Sequence, residues 1–305
     1  MGVSRRSFLK GAAALAGLAG CRAPAVFGRR RLALNASTIR TYGLTLGEQV
    51  EAAAKAGFAG FEPWMKDVHE AKTKGRLGEV VELAREGNLT FVNGISFAPW
   101  AHADPGIRAV GLEELRRDMA ALAEMGCPYV AASLFGMHKP GAKHLSKLEI
   151  AERYAPVCEL GARMGVKPLL EYWGHSVNMC RLEDALAALR LVNRDDTAVL
   201  ADVYHTYRGG GDFAAFSRLR PGMLPVLHVN DYPTDRPREQ LTDADRVWPG
   251  EGGAPWKDLA AHLRSAGLEP WLSLELFNPN YCQTTPLMTL REAKGRMDKL
   301  EGMMS

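Results

Sequence analysis

Four short apolar runs in the second half of the chain each end on a side chain able to bind a metal ion or move a proton. Pro168-Leu169-Leu170 is followed by Glu171, Val199-Leu200-Ala201 by Asp202, Val226-Leu227 by His228, and Trp271-Leu272-Ser273-Leu274 by Glu275. Three carboxylates and one imidazole form a mixed oxygen and nitrogen donor set suited to one divalent ion, and manganese, cobalt, magnesium and zinc all remain open. The glutamates could also carry protons. Taken singly, each residue has an ordinary use as a helix cap, a salt-bridge partner or a structural histidine. Their recurrence at the same point of successive repeats is what indicates a shared site.

Residues so far apart in sequence meet only if the strands ending in them run parallel, because a parallel barrel gathers the carboxyl ends of all its strands on one face. The rest of the chain supplies such strands. Apolar runs at 32–35, 58–62, 90–95 and 129–134 precede those ending at 171, 202, 228 and 275. Helical spacing at 46–56, 77–86, 112–125, 147–164, 182–191, 213–219, 256–266 and 286–300 alternates with them. Gly57, Gly87, Gly126 and Gly165 stop four of these helices. The expected fold is therefore α/β, a single (β/α)8 TIM barrel over 31–305. An open doubly wound sheet would place a glycine-rich phosphate loop after its first strand, and Asn35-Ala36-Ser37-Thr38 has no such form.

A chain of 305 residues with 47% hydrophobic composition is enough for one barrel core, and no linker marks a second domain. Residues 1–30 read as a leader. Ser4-Arg5-Arg6-Ser7-Phe8-Leu9-Lys10 resembles a twin-arginine export signal, and the small, apolar run after it is too short to span a bilayer. Export to the periplasm is expected. Leu18-Ala19-Gly20-Cys21 has the form of a lipobox, which would lipidate Cys21 and tether the protein to a membrane, while Ala23-Pro24-Ala25 is a competing cleavage site. The net charge of +3 falls to about neutral without Arg5, Arg6 and Lys10, so no nucleic-acid partner is expected. The five cysteines show no CxxC spacing, which argues against a disulfide framework or a structural zinc site.

Over nearly the whole mature chain the residues resemble the xylose-isomerase-like barrels, a family that includes tagatose and psicose 3-epimerases, hydroxypyruvate isomerase, inosose dehydratase and apurinic endonucleases. The resemblance implies that Glu171, Asp202, His228 and Glu275 hold one divalent ion. It assigns His205, in Asp202-Val203-Tyr204-His205, to a substrate hydroxyl, and Arg246, in Arg246-Val247-Trp248-Pro249-Gly250, to substrate contact. It also implies a chemistry. Glu171 and Glu275 would flank the reacting carbons, one removing a proton next to a carbonyl and the other returning it, while the ion stabilises an enediolate. Return to the opposite face is epimerisation, return to the neighbouring carbon is isomerisation, and loss of a leaving group is dehydration.

The chain departs from the epimerases after Glu171, where Tyr172-Trp173-Gly174-His175-Ser176-Val177-Asn178 offers only His175 and Asn178 in place of a further carboxylate. Glu62, Trp64, Phe97, Trp100 and Trp173 follow strands two, three and five, and read either as a sugar-binding wall or as rim packing. Asp231 is a candidate ligand for a second ion or a cap of the following loop. The charged stretch 232–245 reads as a lid or a solvated loop, and His102 and His138 as solvent-facing. The function expected is a keto-sugar isomerase or epimerase on a small-molecule sugar. A dehydratase or lyase on a keto-sugar or keto-glycoside, and a sugar-binding protein without catalysis, are the alternatives. The nucleases of this fold need further histidines on the early strands, and here those strands end in Glu62 and Ser96. Dimer and tetramer are equally open.

Overall fold

The computed structural model of the protein describes residues 31–304; the expected export signal and the expected lipidation site Cys21 lie outside them. Nine strands are described: β1 (Leu32–Asn35), β2 (Gly60–Glu62), β3 (Thr90–Phe91), β4 (Gly94–Ser96), β5 (Tyr129–Ser133), β6 (Lys167–Glu171), β7 (Ala198–Asp202), β8 (Val226–Val229) and β9 (Trp271–Leu274). All pairings between them are parallel, in the order β3-β2-β1-β9-β8-β7-β6-β5-β4.

The single third strand expected over 90–95 is divided at Val92-Asn93. Its halves share one place in the barrel, β3 pairing with β2 and β4 with β5. Ile95 N–H donates to the Pro63 carbonyl at 2.9 Å, and a parallel bridge joins Trp64 to Ile95, which closes the ring. The break falls where Asn93 turns its side chain onto Glu62, while Val92 N–H still donates to the Phe61 carbonyl at 3.0 Å.

Among the described residues nine α-helices cover the barrel: α1 (Leu46–Ala56), α2 (Met65–Thr73), α3 (Leu77–Glu86), α4 (Pro105–Glu124), α5 (Lys147–Met164), α6 (Leu182–Val192), α7 (Val203–Arg208), α8 (Trp256–Ser265) and α9 (Pro286–Met304). The sequence marks several ends clearly. Thr45 with Glu48 and Ser146 with Glu149 form capping boxes, while Gly57 and Gly165 end their helices in the left-handed conformation. Two of these helices were not expected. α2 has no side-chain cap at Trp64, and α7 has only six residues, started by Asp202 accepting the His205 N–H. α4 begins earlier than its apolar spacing suggests, because Asp104 caps it and Pro105 takes its first position. The stretch at 213–219 is a 3-10 helix, Phe213–Arg218.

With helices outside and packed side chains inside, both faces of each strand are buried, so the strands read as unbroken apolar runs. Strand alternation then decides which side chains point inward. Ile95, Ala131, Leu169, Ala198, Leu200 and Val226 form the inner cluster, whereas Phe61, Val130, Leu170, Val199, Leu227 and Leu274 belong to the layer under the helices. Glu171 is two residues on from Leu169, Asp202 two from Leu200, and His228 two from Val226, so all three turn inward at the carboxyl end. Glu62 follows outward-facing Phe61 and shares that inward layer.

Candidate functional site

Asp202, His228 and Glu275 present one oxygen or nitrogen each within 4.8 Å of one another, and all three are buried. Register accounts for the meeting of the first two, because Asp202 and His228 are direct partners in the β7–β8 ladder. His228 Nδ1 lies 3.2 Å from Glu275 Oε2 and 4.0 Å from Asp202 Oδ2. It forms no hydrogen bond of good geometry, although it is wholly buried. Glu171 shares the pocket but stands outside this group of three.

The electrostatics divide the two glutamates. Burial pushes Glu171 up to about 8, a rise that nearby His228 partly offsets and Glu275 reinforces. Burial also opposes charge on Glu275, but His228 and then Arg246 outweigh it and hold the carboxyl well below the usual range. The same balance acts on His228. Burial disfavours its charged form, yet Glu275 and Glu62 on either side raise its pKa well above the ordinary value. Asp202 is raised by burial, with Arg246 opposing.

Arg246 is the cation of the site. Its Nη1 donates to Asp202 Oδ2 at 3.0 Å and to Glu275 Oε2 at 2.8 Å, and its Nη2 reaches Asp243 Oδ1 at 2.7 Å and His205 Nε2 at 3.1 Å. The guanidinium also lies over the rings of Tyr204 and Phe277, at 4.6 and 4.9 Å. His175, His205 and Asp243 present a second group of ligand atoms within 4.8 Å. Arg246 already engages two members of that trio, as counter-charge to Asp243 and as hydrogen-bond donor to His205, and a second metal ion there would meet the guanidinium. His205 is kept neutral by burial and then by Arg246, and its Nδ1 has no hydrogen-bond partner.

The remaining expected residues sort by position. Trp64 and Trp173 do line the mouth. Trp64 meets Phe97 at 5.3 Å and Phe277 at 6.5 Å, Phe97 meets Trp173 at 6.4 Å, and Trp173 stacks on His175 and reaches His205. These contacts and Arg246 on Phe277 make a circuit of π faces around the entrance. Trp100 is elsewhere, almost fully buried against Tyr154. Glu62 is also withdrawn from any substrate, being wholly buried between Asn93 and His228. His138, expected to face solvent, is buried, with its ring 4.8 Å from that of Trp173. His102 is half-buried and accepts the Asp104 N–H on Nδ1.

Asp231 does not join the metal-ligand group. Its carboxylate accepts from the N–H groups of Tyr232, Gly250 and Ala254 and from the indole of Trp256, at 2.9 to 3.0 Å. Its backbone pairs both ways with Val247 at 2.9 Å. The loop 232–245 is therefore held at its stem, and its interior is fixed by Arg208 donating to the Glu239 and Leu241 carbonyls. Replacing Asp231 with alanine leaves four donors without their acceptor, two of them in buried bonds, and we expect a loss of about 3–5 kcal/mol in a denaturant melt. A loss below about 1 kcal/mol would show that water or relaxation replaces the carboxylate.

Sequence reasoning missed several members. Asn230 donates from Nδ2 to Asp202 Oδ2 at 2.8 Å while its Oδ1 accepts the Tyr204 N–H, so it aims one ligand and anchors α7. Asp243 was hidden in a charged stretch, and Phe277 and Phe135 stood alone as aromatics; only the coming together of the loops gives them a use. A cleft of about 500 Å³ between α1, α2 and α3 shares Trp64 with the mouth, but none of the candidate metal ligands lines it.

The inosose isomerase of Bacillus velezensis is 29% identical over 195 residues, covering 63% of this chain and 68% of that one. The 3-dehydroshikimate dehydratase of Pseudomonas aeruginosa is 26% identical over 86% of this chain and 39% of its own length. Among solved structures, the IolI protein with a bound zinc atom superposes with a TM-score of 0.81 over 89% of this chain and 98% of that one, at 22% identity. The family model for the xylose isomerase-like TIM barrel matches residues 50–300, and the chain belongs to that family.

Proposed function

We propose that this protein is a divalent-metal-dependent isomerase or epimerase of a keto-sugar, working by proton transfer next to the carbonyl. The observation that carries the reading is the buried convergence of Asp202, His228 and Glu275 on one point, with Glu171 beside them. Carboxylates gathered at a divalent-ion site are placed to move protons next to a carbonyl that the ion would polarise. The similarity to inosose isomerases supports the reaction class.

The residues present fit an ion. His228 Nδ1 is a buried nitrogen without a hydrogen bond, aimed between Glu275 and Asp202, and the mixed oxygen and nitrogen set suits a divalent cation. Asp202, His228 and Glu275 would hold it, with Glu171 as the fourth ligand. When bound, it supplies Lewis-acid stabilisation of negative charge on a carbonyl oxygen. Glu275, anionic in the fold, is placed to take a proton, and Glu171, which sheds its own proton to bind the ion, to relay one back. His205 Nδ1 and the guanidinium of Arg246 are left to hold hydroxyl or carbonyl oxygens. The aromatic circuit excludes water and packs against the C–H faces of a sugar.

A second reading, dehydration, is favoured by the match to the dehydratase across 86% of this chain. There the proton on Glu171 would go to a departing hydroxyl. One experiment separates the readings. The protein loaded with manganese or zinc is screened over keto-sugars in deuterated water, and products are examined by NMR and mass spectrometry. Deuterium on the carbon next to the carbonyl, without change of composition, supports isomerisation or epimerisation. Loss of water supports the dehydratase, and neither change on any sugar that binds leaves a sugar-binding protein.

A further inference from the structure

The imidazole of His228 has a carboxylate at each nitrogen. Glu62 lies at Nε2, 3.2 Å away, and Glu275 at Nδ1, also at 3.2 Å. Glu62 is completely buried at the end of β2, on the side of the ring away from Asp202 and Glu275. It is aimed there by Asn93, whose Nδ2 donates to Oε2 at 2.7 Å. Asn93 can make that bond because the third strand is broken at its position, which frees it to project inward. Its carboxylate is engaged on both sides by Asn93 and His228, so its use is internal.

The geometry points to Glu62 as a positioning residue that keeps the Nε2–H of His228 in place and thereby leaves the Nδ1 lone pair free for a divalent ion. The inference rests on the proposed metal site and deepens it. An imidazole offers a metal one nitrogen only if its proton sits on the other, and a fixed acceptor at that other nitrogen decides which. A carboxylate has no donor with which to reverse the choice, whereas an amide has. Glu62→Gln would let the new amide N–H donate to Nε2 and shift the proton to Nδ1, closing the ligand position without changing the size of the side chain. The strand break is then part of the site, since Asn93 holds the carboxylate that holds the histidine.

The test is zinc affinity, measured by competition with a chromophoric chelator for the wild-type chain and for Glu62→Gln, together with the nitrogen shifts of the His228 ring in the zinc-loaded proteins. We expect affinity to fall about 10- to 100-fold in the variant, with wild-type ring signals showing zinc on Nδ1 and a proton on Nε2. Zinc affinity within about twofold of wild type, or a wild-type ring bound through Nε2, overturns the role of Glu62 while leaving the metal site standing. A wild type that binds no zinc overturns both. Should Glu62→Gln fail to fold, Asn93→Ser replaces it. That variant keeps the carboxylate but removes the donor that aims it, and a smaller loss in the same direction supports the inference whereas no loss overturns it.

Discussion

Glu275→Gln lowers turnover by about a thousandfold or more, well beyond what the loss of one surface carboxylate could cause. Glu275 serves two groups at once. It accepts from Arg246 at 2.8 Å, faces His228 Nδ1 at 3.2 Å and is held anionic by both. The amide keeps the shape but cannot take a proton, so the chemical step loses its base. It also leaves Arg246 and His228 with one counter-charge fewer in a buried space, which weakens hold on a divalent ion. The measurement is steady-state kinetics with zinc or manganese saturating, alongside metal content. A variant that keeps more than about a tenth of wild-type kcat would mean that Glu275 is a ligand or a structural partner and that another group takes the proton.

Metal removal gives the second large effect, and pH sets its size. Stripping the protein with a chelator should abolish activity, and adding back manganese, cobalt, magnesium or zinc should identify the ion that restores it. Binding should tighten as pH rises from about 6 to 8, because Glu171 holds a proton up to about 8 and His228 is charged well above the ordinary range. Both must release protons to become ligands, so affinity could gain up to about a hundredfold per pH unit if both leave. The metal-free fold follows the opposite sign. A carboxyl raised from 4.5 to about 8 contributes stability in full below 4.5 and loses it as pH climbs through 8. Chelated protein should therefore melt lower at pH 8.5 than at pH 5.5, by an amount on the order of a few kcal/mol from Glu171, and the loaded protein should lack that dependence. Metal affinity flat across this range would remove Glu171 and His228 from the ligand set.

The barrel was legible because its strands are buried on both faces and its helices end on glycine. Leu46–Ala56, Leu77–Glu86 and Lys147–Met164 carry apolar spacing with clear caps or stops, and they form where the pattern places them. Met65–Thr73 has no side-chain cap at its start, and its only local mark is Gly75, left-handed just beyond the C-cap Lys74. The third strand was read as continuous because Val92 and Asn93 suit a strand well enough. Only the buried partner Glu62, 31 residues earlier, explains the break. The meeting of Asp202, His228 and Glu275 could be anticipated because strand alternation and a parallel ladder are properties of sequence. Trp100, Asp231 and Glu62 could not be placed from residue type, since an aromatic or a carboxylate near a strand end has the same appearance whether it faces a ligand, a backbone amide or a neighbouring side chain.

The Asp231 clamp has a consequence for how this barrel can change. It ties the second residue after β8 to Val247, Gly250, Ala254 and Trp256, so the ends of the intervening segment are already brought together. Closing a longer segment across a fixed stem costs only about 0.6 kcal/mol for each doubling of its length. The stretch from Thr234 to Gln240 can thus be lengthened or exchanged with little effect on Asp202, His228 or Glu275. Such grafts would vary what enters the mouth while the proton-transfer groups stay where the strands put them.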